Sequence, residues 1–262
     1  MELSERRGTA TAGRAIYLHK RSRLSFCVPS QLTPACRENP FALATRSSPG
    51  SGRFSGRIVA NYDQKISIQH HFIPVYGNTN KRVIEGWKER GGIPAYKKFI
   101  VGVAADFDHV TISDKFWDAD CQPFSSASVH MFAKAIETLI QDEQIENTKQ
   151  RSGRILYDEI LWQLRDRYFS KAINIGLLQQ QMNIAEEFSL PCDAILERLH
   201  NGQAMAAMCN DNELKEKYKV EGSPTYVMNE GRQKLYGNVG YKIIAANIDE
   251  LLNRPQGIAS WC

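Results

Sequence analysis

The sequence lacks a C-x-x-C pair. Its six cysteines, Cys27, Cys36, Cys121, Cys192, Cys209 and Cys262, are scattered so that no two stand three positions apart. No cysteine–histidine cluster has the intervals of a zinc site, so no metal is expected, and each cysteine reads as an ordinary buried or surface thiol. Long apolar runs are missing as well: nothing approaches the ~18 to 20 consecutive apolar residues that cross a bilayer, and the first residues lack the compact apolar block of a secretory signal. The expectation is a soluble, cytoplasmic protein with no membrane partner. Acidic residues are scarce in one place only. Positions 1–60 hold ten Arg or Lys against three Glu, a net of +7, while the remainder nets −3, so the formal +4 of the 262-residue chain belongs to its first segment.

That segment is rich in Ser, Arg, Gly and Pro, and S-S-P-G-S-G-R-F-S-G at 47–56 has no periodicity that could build a packed face. Residues 1–62 therefore read as a disordered basic tail. An organelle transit peptide, a solvated or nucleic-acid-binding arm and translated sequence upstream of the true start all fit this composition. No aromatic stacking groups are interleaved with the charges, so no nucleic-acid partner is expected.

What is present begins near residue 64. Q-K-I-S-I-Q-H-H-F sets Ile66, Ile68, His70 and Phe72 on one face of a strand, with His71 on the other, so His70 and His71 cannot jointly chelate a metal. Asn78 or Thr79 can cap a helix that runs to Gly91-Gly92, and Pro94 opens another whose apolar face carries Tyr96, Phe99, Ile100, Val103 and Phe107. H-V-T-I-S at 109–113 reads as a second strand, which makes a βαβ unit with a parallel pair. Residues 125 to about 219 show helical periodicity alone, with Leu161, Leu164 and Tyr168 spaced i, i+3, i+7. Ser125, Ser126 and Ser128 precede His130 there; capping accounts for them, and a serine nucleophile assisted by His130 is the sharper alternative. Strands return in T-Y-V-M-N and R-Q-K-L-Y around Glu230-Gly231, before a closing amphipathic helix.

The order is thus βαβ, a helical block, then ββα: an α/β chain with a first part over 63–114 and 220–254 and an insertion over 115–219. The stretch A-M-C-N-D-N-E-L-K-E-K-Y-K-V-E-G-S-P-T-Y-V-M-N-E-G-R-Q-K-L-Y-G resembles the DsbA-like branch of the thioredoxin superfamily, where a helix leads into V-x-G-x-P-T-(F/Y)-V. The helical block resembles that family's inserted helical domain, and the likeness spans roughly residues 64–253. It implies a thioredoxin-like fold with an all-helical insertion, and a cis bond between Ser223 and Pro224 in a loop whose main chain holds an extended peptide or glutathione.

The resemblance also says where the other half of the site belongs. The family's C-x-x-C stands at a helix N-terminus after the first strand, and laying F-I-P-V on that pattern puts Tyr76-Gly77-Asn78-Thr79 there, without sulfur. Disulfide exchange needs a thiolate, which neither asparagine nor threonine supplies. Kappa-class glutathione transferases and 2-hydroxychromene-2-carboxylate isomerases share this fold and use a hydroxyl near that helix; by that likeness Thr79 or Tyr76 would be catalytic, with Ser223, Pro224 and Asn78 binding substrate. Three expectations follow: a dithiol-free protein that binds a thiol compound or an extended peptide, with no permanently bound cofactor; a glutathione-dependent transferase or isomerase; and an oxidoreductase using a distant thiol such as Cys121 or Cys209. The oligomeric state is not legible.

Overall fold

The computed structural model describes residues 22–29, 61–62, 65–74, 76–105, 111–222, 224–228, 230–237 and 239–253. One four-stranded sheet has the order β2-β1-β3-β4, formed by β1 (Ser22–Pro29), β2 (Ile66–Ile73), β3 (Thr225–Met228) and β4 (Gln233–Tyr236). β1 runs parallel to β2 and antiparallel to β3, with Leu24 in register with Ile68 on one side and Met228 on the other, and Cys27 in register with His71 and Thr225. β3 and β4 form an antiparallel hairpin. Its turn has φ of 60° at Glu230 and 95° at Gly231, the left-handed pair that the Glu-Gly dipeptide leads one to expect.

Two expectations are corrected here. Residues 22–29 are not part of a disordered tail but a strand between β2 and β3. S-R-L-S-F-C-V-P alternates Leu24, Phe26 and Val28 with Arg23, Ser25 and Cys27, a period of two masked by the Arg- and Ser-rich composition around it. The other residues of 1–60 lie outside the described residues. H-V-T-I-S is not a strand at 111–113, and His109 and Val110 lie outside the described residues; β1 supplies the parallel partner of β2 instead.

Helix α1 (Gly92–Ala104) follows the sheet's second strand after an irregular helical segment of Asn80–Glu85 and Lys88–Arg90. Then come α2 (Ala127–Gln141), α3 (Leu156–Phe169), α4 (Leu178–Glu187), α5 (Cys192–His200) and α6 (Gln203–Lys217), and α7 (Tyr241–Asn253) closes the fold. One sheet face feeds the main core: Ile66 and Phe72 of β2 and Tyr226 and Met228 of β3 join Phe132, Ile136 and Leu139 of α2 and Ile244 and Ile248 of α7. Val227 and Val220 form a smaller cluster with Ile73 and Tyr218.

β2 is an outer strand, and its free edge is closed by side chains. Asp211 of α6 accepts the Phe72 N–H at 2.7 Å, and Lys134 of α2 donates to the His70 carbonyl at 3.1 Å. These two groups pair with each other at 2.8 Å, both nearly inaccessible to solvent. An unpaired strand edge left open would template association with another chain; here two helices satisfy it. Asp211→Ala leaves the Lys134 ammonium buried opposite no aspartate and is expected to cost ~3 to 5 kcal/mol in urea unfolding. Asp211→Asn, which keeps an acceptor for the Phe72 N–H, should cost less; equal losses would show that charge at this position is immaterial.

Candidate functional site

The turn after β2 sets the site. Gly77 N–H donates to the Pro74 carbonyl at 2.9 Å, and the chain enters the irregular helix at Asn78-Thr79. Asn78 Oδ1 accepts the Lys81 N–H at 2.9 Å, so Asn78 performs the capping expected of it or Thr79. Thr79 is buried, its N–H donating to the Phe124 carbonyl at 3.1 Å. Its hydroxyl lies 2.5 Å from the Pro123 carbonyl and 2.9 Å from that of Phe124. A hydroxyl has one proton, and both neighbours only accept, so the Thr79 proton is held by the backbone.

Tyr76 is also buried, 1% exposed, and its carbonyl accepts the Ser126 N–H at 3.0 Å. Beneath it lies an aromatic bed. Tyr96 packs edge-on to Trp117 with centroids 5.3 Å apart, and Phe116 packs edge-on to Tyr168 at 5.4 Å. Burial pushes the Tyr96 phenol well above its ordinary range, aided by Tyr76, which is hydrogen-bonded to it. Trp117 holds φ at 66°, an uncommon left-handed conformation for a bulky residue, and is buried all the same.

The other half of the expected site stands at the same end of the sheet. Pro224 is buried, and its carbonyl accepts the Gly237 N–H at 2.9 Å; Ser223 lies outside the described residues. A Cβ at Gly222 would come within 2.7 Å of the Tyr236 hydroxyl, so that exposed ring would have to shift to admit one. The two halves are not neighbours: β1 runs between β2 and β3, placing them two strand spacings, ~10 Å, apart. The structure therefore brings Tyr76, Asn78 and Thr79 together and sets Pro224 across β1 from them.

Sulfur chemistry has little to work with among the described side chains. Cys121, Cys192 and Cys209 are free thiols. Cys121 is buried with Sγ donating toward the Lys115 and Asp118 carbonyls, and burial pushes its pKa up; burial raises that of Cys192 too. Among the described residues no group of three His, Cys, Asp or Glu is arranged to hold a metal, and no helix is long and apolar enough to cross a membrane.

Some groups escaped the reading of the sequence. Phe124, whose carbonyl holds Thr79, is 92% exposed. Gly176 packs against Pro123 and Asn174 Nδ2 donates to the Gln122 carbonyl at 3.0 Å, which brings exposed Leu177 and Leu178 to the same neighbourhood. The only sequence signal was a lone Phe before the Ser125 cap. Ser125 indeed caps, its Oγ accepting the Ala127 N–H at 3.0 Å, while neither ring nitrogen of His130 has a hydrogen-bond partner among the described residues. No serine–histidine pair forms, and the His130 ring stacks on Phe72 at 5.2 Å.

No protein-family model matches the sequence, and no curated protein matches it. Solved structures do. A putative protein disulfide isomerase from Nitrosomonas europaea is 10% identical, covers 91% of this chain and 100% of its own, and superposes with a TM-score of 0.64. A 2-hydroxychromene-2-carboxylate isomerase is 12% identical, with coverage of 91% and 100% and a TM-score of 0.52. At such identities the likeness is one of fold: the chain has a thioredoxin-like fold with helical insertions.

Two outcomes follow. Burial lowers the His130 pKa from 6.5 to about 3, so the folded ring stays neutral where the unfolded one takes up a proton. Its contribution to stability is complete above pH ~6.5 and falls by up to ~1.4 kcal/mol per pH unit toward pH 3. Urea unfolding of His130→Leu across that range should lose this component of the acid slope, and an unchanged slope would refute the assignment. Alkylation with iodoacetamide should reach Cys209 in the folded protein and Cys121 only after unfolding, as mass spectrometry would read.

Proposed function

We propose that this chain is a thioredoxin-fold protein of DsbA type that binds an extended apolar peptide at the exposed Phe124 beside the helix start after β2, across β1 from the Pro224 loop, and performs no dithiol exchange of its own. The observation that carries the reading is the helix start after β2. Asn78 and Thr79 occupy it with side chains engaged by main chain, and Phe124 lies against them 92% exposed. An aromatic ring anchored through its own carbonyl and turned to solvent, with Leu177 and Leu178 nearby, suits an apolar partner segment better than a charged one. The expected ligands remain an extended peptide or a thiol compound, with no permanently bound cofactor.

The glutathione-dependent transferase or isomerase is the second reading. It asks Thr79 or Tyr76 to donate a hydrogen bond to a thiolate, and it is weakened because the Thr79 proton already goes to the Pro123 or Phe124 carbonyl and Tyr76 is buried. The third reading, a distant catalytic thiol, is weakened by the raised pKa of buried Cys121, since the thiolate is the reactive form.

Calorimetric titration with an extended apolar peptide should show binding that Phe124→Ser weakens about tenfold, the size of a modest hot-spot residue. Insulin reduction by dithiothreitol should proceed no faster with the protein than without it. Acceleration would overturn the dithiol-free reading. Retention on immobilised glutathione, lost in Thr79→Val, would replace peptide binding with the transferase reading.

A further inference from the structure

The two outer strands of the sheet end differently. The free edge of β2 is closed by Asp211 and Lys134, whereas β4 has no such cover among the described residues. Gly237 N–H meets the Pro224 carbonyl at 2.9 Å, in register with the β3–β4 pairing, so Leu235 and Gln233 also turn their main-chain groups toward β3. The N–H and C=O of Lys234 and Tyr236 therefore point outward, and they have no hydrogen-bond partner among the described residues. Such a row of unpaired groups is a template for another strand.

A lysine on an edge strand ordinarily repels a second strand, but Lys234 is turned aside. Its ammonium donates to the Tyr218 and Lys219 carbonyls, at 3.3 and 3.0 Å, in the turn after α6. Arg232 is likewise engaged, 3.2 Å from Glu250. The side chains left beside the edge are aromatic or apolar. Tyr236 is 56% exposed, and Leu235, on the opposite face, packs at the margin of the main core. Ile243, Ala246 and Glu250 share one stripe of α7, and Glu250 accepts from Gln233 at 2.8 Å, so the stripe borders β4 and carries exposed Ile243 along it.

We propose that β4 is a dimer interface, pairing antiparallel with β4 of a second copy of this chain about a two-fold axis at Leu235. Few registers are open, because only residues with outward main-chain groups can exchange hydrogen bonds. An axis at Gln233 or Lys234 sets cations opposite each other, which is destabilising, and an axis at Tyr236 carries the pairing past the end of the strand. An axis at Leu235 pairs Lys234 of each copy with Tyr236 of the other through both of their main-chain groups. Each lysine stem then lies beside a tyrosine ring, and the two Leu235 side chains meet at a position without hydrogen bonds, where facing side chains are closest. The two four-stranded sheets become one, with α7 of each copy beside the seam. Such a self-matched contact closes on itself, so association stops at the dimer. This surface is separate from Phe124, and it does not depend on peptide binding there.

Sedimentation velocity on the full chain should show a mass that rises with concentration from 29.7 kDa toward twice that value. Over the same range, hydrogen exchange of the Lys234 and Tyr236 amides should slow, while amides facing β3 stay constant. Tyr236→Pro removes one outward donor from each copy and leaves the β3 ladder intact; it should weaken the dimer about thirtyfold, the worth of two hydrogen bonds. Ile243→Lys, at an exposed position, should weaken it about tenfold by placing like charges along the seam. Should the proline variant fail to fold by circular dichroism, the lysine variant and the exchange data decide. A monomer at every concentration overturns the proposal, and slow exchange of both amides in that monomer would assign the edge to a segment of the same chain. A dimer that neither variant weakens overturns it as well, and assigns association to another surface such as Phe124.

Discussion

Asp211 and Lys134 sit where another strand would otherwise be needed. β2 ends the sheet on one side, and its outward Phe72 N–H and His70 carbonyl would be unsatisfied in a dry interface. One acid and one base, from different helices of the insertion, each take one of these groups and pair with each other. The helical block is thereby attached to the sheet by main-chain contacts as well as by apolar packing. The desolvation cost of burying both charges is offset because each has additional partners: His71 for the aspartate, and Glu137 for the lysine at 2.6 Å. Fixing the helices fixes the segment ahead of α2, which includes Pro123 and Phe124, and with it the carbonyls that hold Thr79.

The adjacent histidines show how one strand addresses two environments. His70 reaches Asp158 of α3 at 2.9 Å from the core side, and His71 reaches Asp211 from the other. Alternation along β2 predicted opposite faces, and the structure adds that each face offers an aspartate. His130 lies behind them without such a partner and is held neutral by burial.

Legibility followed the range of the interactions involved. The strand of Ile66, Ile68 and Phe72, the Glu230-Gly231 hairpin, the helical block and the cap at Asn78 were readable because each is set by local periodicity or by one residue's conformational preference. β1 was not, since eight alternating residues were outweighed by the composition of sixty, and its strand character depends on partners far along the chain. The Lys134–Asp211 pair was invisible for the same reason: nothing in either neighbourhood of the sequence distinguishes these residues from a solvated lysine and aspartate. The catalytic roles drawn from family likeness to Thr79 and Tyr76 rested on residue type, whereas the availability of a hydroxyl is decided by what surrounds it. Here Pro123 and Phe124 do the surrounding, and no spacing rule connects them to Thr79.

The place of β1 bears on how the chain assembles. Among the described strands it comes earliest in the chain, yet one of its two neighbours is β3, far later in the sequence. Pairing of such high sequence separation carries a large loop-closure cost and forms slowly. The middle of the sheet must therefore wait for the β3–β4 hairpin to arrive.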